Sequence, residues 1–133
     1  SEALTDTEKQ ALILARRGQG RFREGLIETW GQCAVTGCRN LKLLRASHLK
    51  PWRKCTNQER LDRFNGLLLA PHLDMALDCG LITFASDGRI KVSSQLTAAD
   101  RSALGITGRM RLRSVDPRHG HYLKHHRENE FER

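Results

Sequence analysis

The sequence predicts an α+β fold in a single domain of 133 residues. Helical patterns occupy both ends of the chain, at about 5–30 and 117–131, whereas the middle holds short apolar stretches of strand length. Apolar residues make up 38% of the chain and aromatic residues only 5%, so the core is expected to be modest and mainly aliphatic. No internal repeat, low-complexity tract or linker is visible. We therefore expect one domain over 1–133, with a central part at about 31–93 that contains a β-hairpin and is flanked by helices.

The N-terminal segment is predicted to form two helices. Thr5 and Glu8 have the spacing of a capping box, in which each side chain satisfies a free N–H group of the other. The glycines at 18–20 are expected to interrupt the first helix. In the second helix, apolar residues recur every four positions on one face, at Phe22, Leu26 and Trp30.

The middle of the chain alternates short strands and helices. A strand over 41–49 is expected to end before Pro51, because a proline disfavours helix for the residue before it. A second apolar strand follows at 65–70. Pro71 suits the first turn of a helix, and Gly80 suits its C-terminal end.

The remaining segments predict a hairpin and two more helices. Two short strands at 80–84 and 89–94 are joined by Ala-Ser-Asp-Gly, which is typical of a hairpin turn. A short helix is expected over 96–105. The last helix is expected after Pro117.

Charge and cysteine content narrow the function. Lys and Arg number 23 against 15 Asp and Glu, and the net charge of +8 favours a polyanionic partner such as nucleic acid. No apolar run approaches the about 20 residues of a membrane span, and the polar start does not resemble a signal peptide. The four cysteines are irregularly spaced, which favours a reducing, cytoplasmic compartment over a disulfide scaffold. They are Cys33, Cys38, Cys55 and Cys79.

Two acidic side chains on one predicted helix suggest a cation site. Asp74 and Asp78 are four residues apart and share a helix face. Like charges at that spacing cost a few tenths of a kcal/mol, which a divalent cation would offset. Taken alone, such a pair more often marks a solvated acidic face or a helix cap.

The segment from His48 to Gly80 resembles an HNH endonuclease of the ββα-metal class. That class has a histidine at the end of a strand, an asparagine in the following turn, and a histidine or acidic ligand on the next helix. The stretches "SHLKPW", "FNGLLL" and "PHLDMALD" carry the corresponding residues, which are His48, Asn65, Asp74 and Asp78. The resemblance extends over about 16–131 to a bacterial subgroup often described as restriction-endonuclease-like. It implies a ββα-metal (HNH) core.

The resemblance implies metal-dependent DNA phosphodiester hydrolysis, with restriction-type defence in a bacterial cytoplasm as its setting. His48 would be the general base, since an imidazole pKa near 6.5 suits proton removal from water. Asn65 would orient its ring, and Asp74 and Asp78 would hold one cation. His72 is a secondary candidate ligand. An aspartate at the family's last position favours Mg²⁺ or Mn²⁺, with Zn²⁺ as the alternative.

One departure from the family leaves two other interpretations open. Many HNH nucleases place a metal-binding Asp or His where this chain has Ser47. The chain is therefore also consistent with a non-catalytic DNA-binding module on the HNH scaffold. A zinc-stabilised interaction domain that uses the four cysteines is the other alternative.

The resemblance implies that the helix and strands of the core approach the minor groove of double-stranded DNA. Basic side chains would then supply affinity that weakens with salt. The candidates for phosphate contacts are Arg21, Arg23, Lys50, Arg53 and Lys54. One active centre cuts one strand at a time, so double-strand cleavage would need a homodimer or two encounters.

Overall fold

A computed structural model describes residues 3–133 and shows an alternation of helices and short strands. In chain order these are α1 (Asp6–Trp30), β1 (Arg45–His48), α2 (Asn57–Leu61), β2 (Gly66–Leu69), α3 (Pro71–Asp78), β3 (Ile82–Phe84), β4 (Ile90–Val92), α4 (Ala98–Leu104) and α5 (Gly120–His125). Short 3₁₀ helices lie at Leu41–Leu43, Trp52–Lys54, Arg63–Asn65 and Pro117–His119, and a π-helical turn at His126–Glu130 follows α5. The predicted α+β fold is confirmed.

The strands form two separate antiparallel hairpins. β1 pairs with β2, so that Arg45 lies opposite Leu69 and His48 lies opposite Gly66. β3 pairs with β4 through the predicted turn. α3 directly follows β2 and packs against β1, which completes a ββα unit with His48 at the end of its first strand.

The prediction of a break at 18–20 is wrong, because α1 continues through both glycines as one helix of 25 residues. A helical glycine costs about 1 kcal/mol relative to alanine. Burial of a large apolar side chain contributes about 1.5–3 kcal/mol, so the side chains that follow outweigh that cost. Phe22 and Leu26 are at most 1% exposed, and Trp30 is also buried. Tertiary packing therefore decides the continuity of α1.

The ends of the helices follow the predicted local signals more closely. The Thr5 hydroxyl accepts the N–H of Glu8 at 3.1 Å, which is one of the two bonds of a capping box. Pro71 is the first residue of α3. Gly80, just beyond α3, has a positive φ of 73°, a conformation that glycine adopts without steric cost.

The buried apolar residues form one cluster, which is mainly aliphatic as predicted. Leu26 of α1, the three leucines of β2 at 67–69, and Leu73 and Leu77 of α3 are fully or almost fully buried within it. The cluster therefore joins α1 to the ββα unit and fixes the strand end that carries His48. The single-domain boundary at 1–133 remains a prediction.

The C-terminal segment ties the ββα unit to the second hairpin. His126 is buried, and its Nε2 donates to the carbonyl of Leu77 in α3 at 3.0 Å. Its Nδ1 accepts from the hydroxyl of Thr83 in β3 at 2.7 Å. The end of α3, which carries Asp78, is thus braced from outside the ββα unit.

Within residues 3–133, no helix combines the length and the apolar character that crossing a bilayer requires.

Candidate active site

The ββα unit brings three of the predicted catalytic and metal-binding residues to one groove. His48 lines this groove from the end of β1, and Asp74 and Asp78 line it from α3. The groove has a volume of about 460 Å³, and Trp52 and Arg53 are among the other residues that line it. A second groove of about 470 Å³ adjoins it and shares His48, Trp52 and Asp74. We call the two together the catalytic groove, after the role that the family resemblance implies for His48.

The His48 imidazole is held on three sides. Its Nε2 lies 3.0 Å from the carbonyl oxygen of Arg60. The Phe22 ring stacks on it with centroids 3.7 Å apart and planes within 8°, and Trp52 approaches it edge-on at 5.7 Å. Because a carbonyl oxygen only accepts hydrogen bonds, Nε2 carries the proton in the neutral ring. Nδ1 is then unprotonated and available as a base.

The same surroundings set the protonation state of His48. Burial lowers its pKa below the ordinary value of 6.5, since desolvation disfavours the charged ring. The bond to the Arg60 carbonyl opposes this shift, and the positive charge of Arg60 adds to it. With its pKa lowered on balance, His48 is mostly neutral at pH 7.

Asn65 has a different place from the one predicted. The sequence suggested that its amide orients the imidazole, but the carbonyl of Arg60 occupies that position. Asn65 is fully buried, and its Oδ1 accepts the Lys50 N–H at 2.8 Å. Its Nδ2 donates to the Glu59 carbonyl at 3.1 Å. Asn65 therefore closes the loop over 50–62, and that loop presents the Arg60 carbonyl to His48.

Several features of this loop strengthen the closure. Thr56 and Glu59 form a complete capping box at the start of α2. The Glu59 carboxylate also pairs with the Lys50 ammonium group at 2.9 Å. The bond with the Thr56 backbone and then the bond from Lys50 lower the pKa of Glu59, so its carboxylate stays ionised at neutral pH.

Two residues that hold His48, Arg60 and Phe22, carry no functional signal in the sequence. The role of Arg60 is played by its main-chain carbonyl, which has no signature in sequence. Phe22 was identified only as part of an apolar helix face. Its contact with His48 depends on how α1 crosses the strands, which local patterns do not determine.

Asp74 is oriented by two neighbours. Its Oδ1 accepts the hydroxyl proton of Ser47 at 2.5 Å, and its Oδ2 lies 3.9 Å from Nε of Arg45. The Asp74 side chain is 25% exposed, so it remains accessible from the groove. Ser47, which replaces a metal ligand of many HNH nucleases, is buried and positions Asp74 instead.

The donor set suits a hard cation that keeps part of its water shell. Asp74 and Asp78 offer carboxylate oxygens to the same groove, and Mg²⁺ is commonly held by one or two carboxylates plus water and phosphate. In the described part of the chain, no group of three or more His, Cys, Asp and Glu side chains converges as a closed metal site. Water and a substrate phosphate would therefore have to complete the coordination.

Two other sets of predicted ligands lie elsewhere. His72 is half-buried near the start of α3 and does not line the catalytic groove. The four cysteines are free thiols. Cys33 is buried and accepts N–H groups of Thr36 and Ala70, each at 3.3 Å, whereas Cys79 is exposed. No shared zinc site forms among the cysteines, all of which lie within the described residues.

The predicted DNA-contacting side chains divide into two sets. Arg23 donates two bonds of 2.7 Å to main-chain carbonyls just before β1. Lys50 and Lys54 form ion pairs with glutamates at 2.9 and 2.6 Å. Arg21 and Arg53 are exposed and have no hydrogen-bond or ion-pair partner within residues 3–133. Arg21 and Arg53 are therefore the better placed for phosphate contacts.

Gly66 makes the Phe22–His48 stack possible. It lies opposite His48 in the β1–β2 register, and a Cβ there would be 2.2 Å from Cζ of Phe22 and 2.9 Å from the Ser47 carbonyl oxygen. We expect Gly66→Ala to lower the free energy of unfolding by about 2 kcal/mol or more, because overpacking forces Phe22 to move. Urea unfolding measures this change.

Gly108→Ala is the matched control for that substitution. A Cβ at Gly108 would have no atom within 4 Å, so the control should change stability by only a few tenths of a kcal/mol. Equal stability of Gly66→Ala and the wild type would show that Phe22 is not confined as described.

Comparison with known proteins is consistent with this geometry. Residues 33–85, less than half of the chain, match a family model described as HNH endonuclease. The matched segment includes His48, Asn65, Asp74 and Asp78, and it confirms the resemblance to that family. HNH endonuclease domains hydrolyse phosphodiester bonds of nucleic acid, and the family generally uses a divalent metal. No curated protein matches the chain.

Proposed function

From the HNH endonuclease domain at residues 33–85, we propose that the chain is a metal-dependent DNA endonuclease with His48 as its general base. The main support is the hydrogen bond from Nε2 of His48 to the Arg60 carbonyl. That bond fixes the tautomer whose Nδ1 accepts a proton, and burial keeps the ring neutral. His48 also shares its groove with Asp74 and Asp78.

Each side chain has a distinct task in this proposal. His48 takes a proton from water at Nδ1, while the Arg60 carbonyl holds the ring in place. Asp74 and Asp78 would hold the divalent cation, and Ser47 keeps Asp74 aimed at the groove. A cation held there would supply positive charge next to the scissile phosphate and the leaving oxygen. The resemblance implies products with a 5′ phosphate and a 3′ hydroxyl.

The proposal predicts strict dependence on a hard cation. A supercoiled plasmid should stay intact with the protein and a chelator, and should be nicked when Mg²⁺ or Mn²⁺ is in excess. Asp74→Asn keeps the shape of the side chain and an acceptor for Ser47 but removes the charge. We expect it to lower nicking at limiting metal by about 100-fold, since even outer-shell partners of a metal are worth 10–100-fold.

Asp6→Asn, on the exposed first turn of α1, is the control for that charge change. Nicking by Asp6→Asn should equal that of the wild type. Undiminished nicking by Asp74→Asn, or nicking that survives the chelator, would exclude the assigned cation site.

The small ligand set favours one second candidate function, a DNA-binding module without catalysis. Ser47 contributes no charge, and two carboxylates alone bind a cation weakly. Such a module would bind plasmid in a salt-dependent manner and leave it intact with every divalent metal. For the catalytic form, we further propose restriction-type defence as the role, double-stranded DNA as the target and a homodimer as the species that cuts both strands.

A further inference from the structure

A separate groove runs between α1 and α2, beside the catalytic groove. It has a volume of about 520 Å³. Its apolar lining, which we call the floor, includes Leu14, Gly18 and Leu61, and its basic lining, which we call the rim, consists of arginines. The rim arginines are Arg17, Arg21 and Arg60. No carboxylate of the described residues lines it, so its charge is wholly positive.

Trp52 connects this groove to the catalytic groove, because it forms part of the wall of both. The Arg60 guanidinium lies over one face of its ring, 4.6 Å from the centroid. The same Arg60 bonds His48 through its carbonyl. A ligand in the side groove would therefore lie against residues that also shape the catalytic groove.

Gly18 lines the groove without a side chain of its own. A Cβ at Gly18 would lie 3.5 Å from Leu61 and 3.8 Å from Trp52, which is ordinary van der Waals contact. A longer side chain would extend beyond that contact into the groove. A helical glycine costs about 1 kcal/mol relative to alanine, and at this position it keeps the groove free of a side chain.

We propose that the side groove receives one unpaired nucleobase of the DNA strand that is cut. The proposal rests on the endonuclease function above and deepens it by naming a feature of the substrate. An apolar floor suits the faces of a base, and cations on the rim suit the phosphates on either side of it. Arg17 and Arg21 would contact those phosphates. An apolar protein segment would bury the floor but leave the rim arginines without counter-charges.

The test compares two DNA duplexes that differ in one nucleotide. One carries 2-aminopurine as a single-nucleotide bulge, and the other carries it paired. Binding is followed by anisotropy and by 2-aminopurine fluorescence in a chelator, so that the result does not depend on cleavage. The wild type should bind the bulged duplex more tightly and change its fluorescence.

Gly18→Leu fills the groove, and Gly20→Leu is its matched control. A Cβ at Gly20 would have no atom within 4 Å, so both variants gain the same helix propensity and only the first blocks the floor. Gly18→Leu should lose about 10- to 100-fold in affinity for the bulged duplex, the loss expected for one stacked base. Gly20→Leu should bind as the wild type does.

A second variant shows whether an effect of Gly18→Leu arises only because the added leucine displaces Trp52. Leu61→Ser removes part of the floor without adding bulk, and Leu61 is already 42% exposed. It too should weaken binding of the bulged duplex more than binding of the paired duplex. Equal loss on both duplexes, or no loss in either variant, would overturn the base-binding groove. A shift in oligomeric state without a change in DNA binding would assign the groove to a second chain instead.

The two proposals fail separately. If plasmid nicking is absent but the preference for the bulged duplex depends on Gly18, the endonuclease proposal is wrong and the base-binding proposal is supported. If nicking requires metal but the bulge has no effect on binding, the base-binding proposal is wrong and the endonuclease proposal is supported.

Discussion

Replacing His48 by alanine is expected to lower phosphodiester cleavage by about 100- to 10,000-fold, the usual contribution of a general base. The fold should survive, because the stacked Phe22 is held mainly by the core and not by the imidazole. The rate of plasmid nicking under single-turnover conditions measures the loss of cleavage. Thermal unfolding of the variant measures whether the fold survives.

The pH profile separates a base from a structural histidine. A neutral base is active above its pKa, so the rate should rise with pH and level off once the ring is deprotonated. Burial lowers the pKa of His48, and a bound cation would lower it further, so the midpoint of the rise should lie below pH 6.5. His48→Ala should lack this rise.

An exposed histidine serves as the control for the substitution. His121→Ala on α5 makes the same change far from the groove in sequence and at an exposed position. Its rate and pH profile should match those of the wild type. If the rise of the cleavage rate with pH, which we call the acid limb, persists unchanged in His48→Ala, the rise would be due to the titration of another group.

Asn65→Ala should have the second largest effect, acting on both stability and rate. The substitution leaves the Lys50 N–H and the Glu59 carbonyl without their buried partner. Each buried polar group left unpaired costs about 1–3 kcal/mol, so the free energy of unfolding should fall by about 2–6 kcal/mol. The loosened loop would also misplace the Arg60 carbonyl, and cleavage should fall by about 10- to 100-fold, as for other outer-shell partners.

Two comparisons make the Asn65 prediction specific. Asn129→Ala removes an amide that, within residues 3–133, bonds only to His125, so it should change neither stability nor rate by comparable amounts. Below its unfolding temperature, Asn65→Ala should also shift the midpoint of the acid limb, because the bond to the Arg60 carbonyl raises the pKa of His48. An unchanged midpoint with only lowered stability would limit Asn65 to a structural role.

Local sequence signals predicted the parts of the fold that local chemistry determines. Pro71 marked the start of α3, and the Ser-Asp-Gly turn marked the second hairpin, because proline and glycine restrict or extend the backbone angles directly. α1 was mispredicted because two glycines weaken a helix less than burial of Phe22 and Leu26 strengthens it. That balance depends on residues distant in sequence.

In the candidate site, too, local patterns predicted some residues, whereas contacts between distant residues could not be predicted. Spacing alone suggested that Asp74 and Asp78 share a helix face, and the resemblance added His48 and Asn65. Neither could show that a main-chain carbonyl would hold the imidazole. Nor could the count of basic residues show which ones are already paired within the protein, as Lys50 and Lys54 are.

Cleavage of supercoiled plasmid by the wild type and His48→Ala, side by side in chelator and in excess Mg²⁺ or Mn²⁺, tests the central claim most directly. We expect nicked plasmid from the wild type only when metal is present, and at least about 100-fold less from an equally folded His48→Ala. Equal nicking by the two proteins, or intact plasmid from the wild type with both metals, would contradict a metal-dependent nuclease that uses His48 as its base.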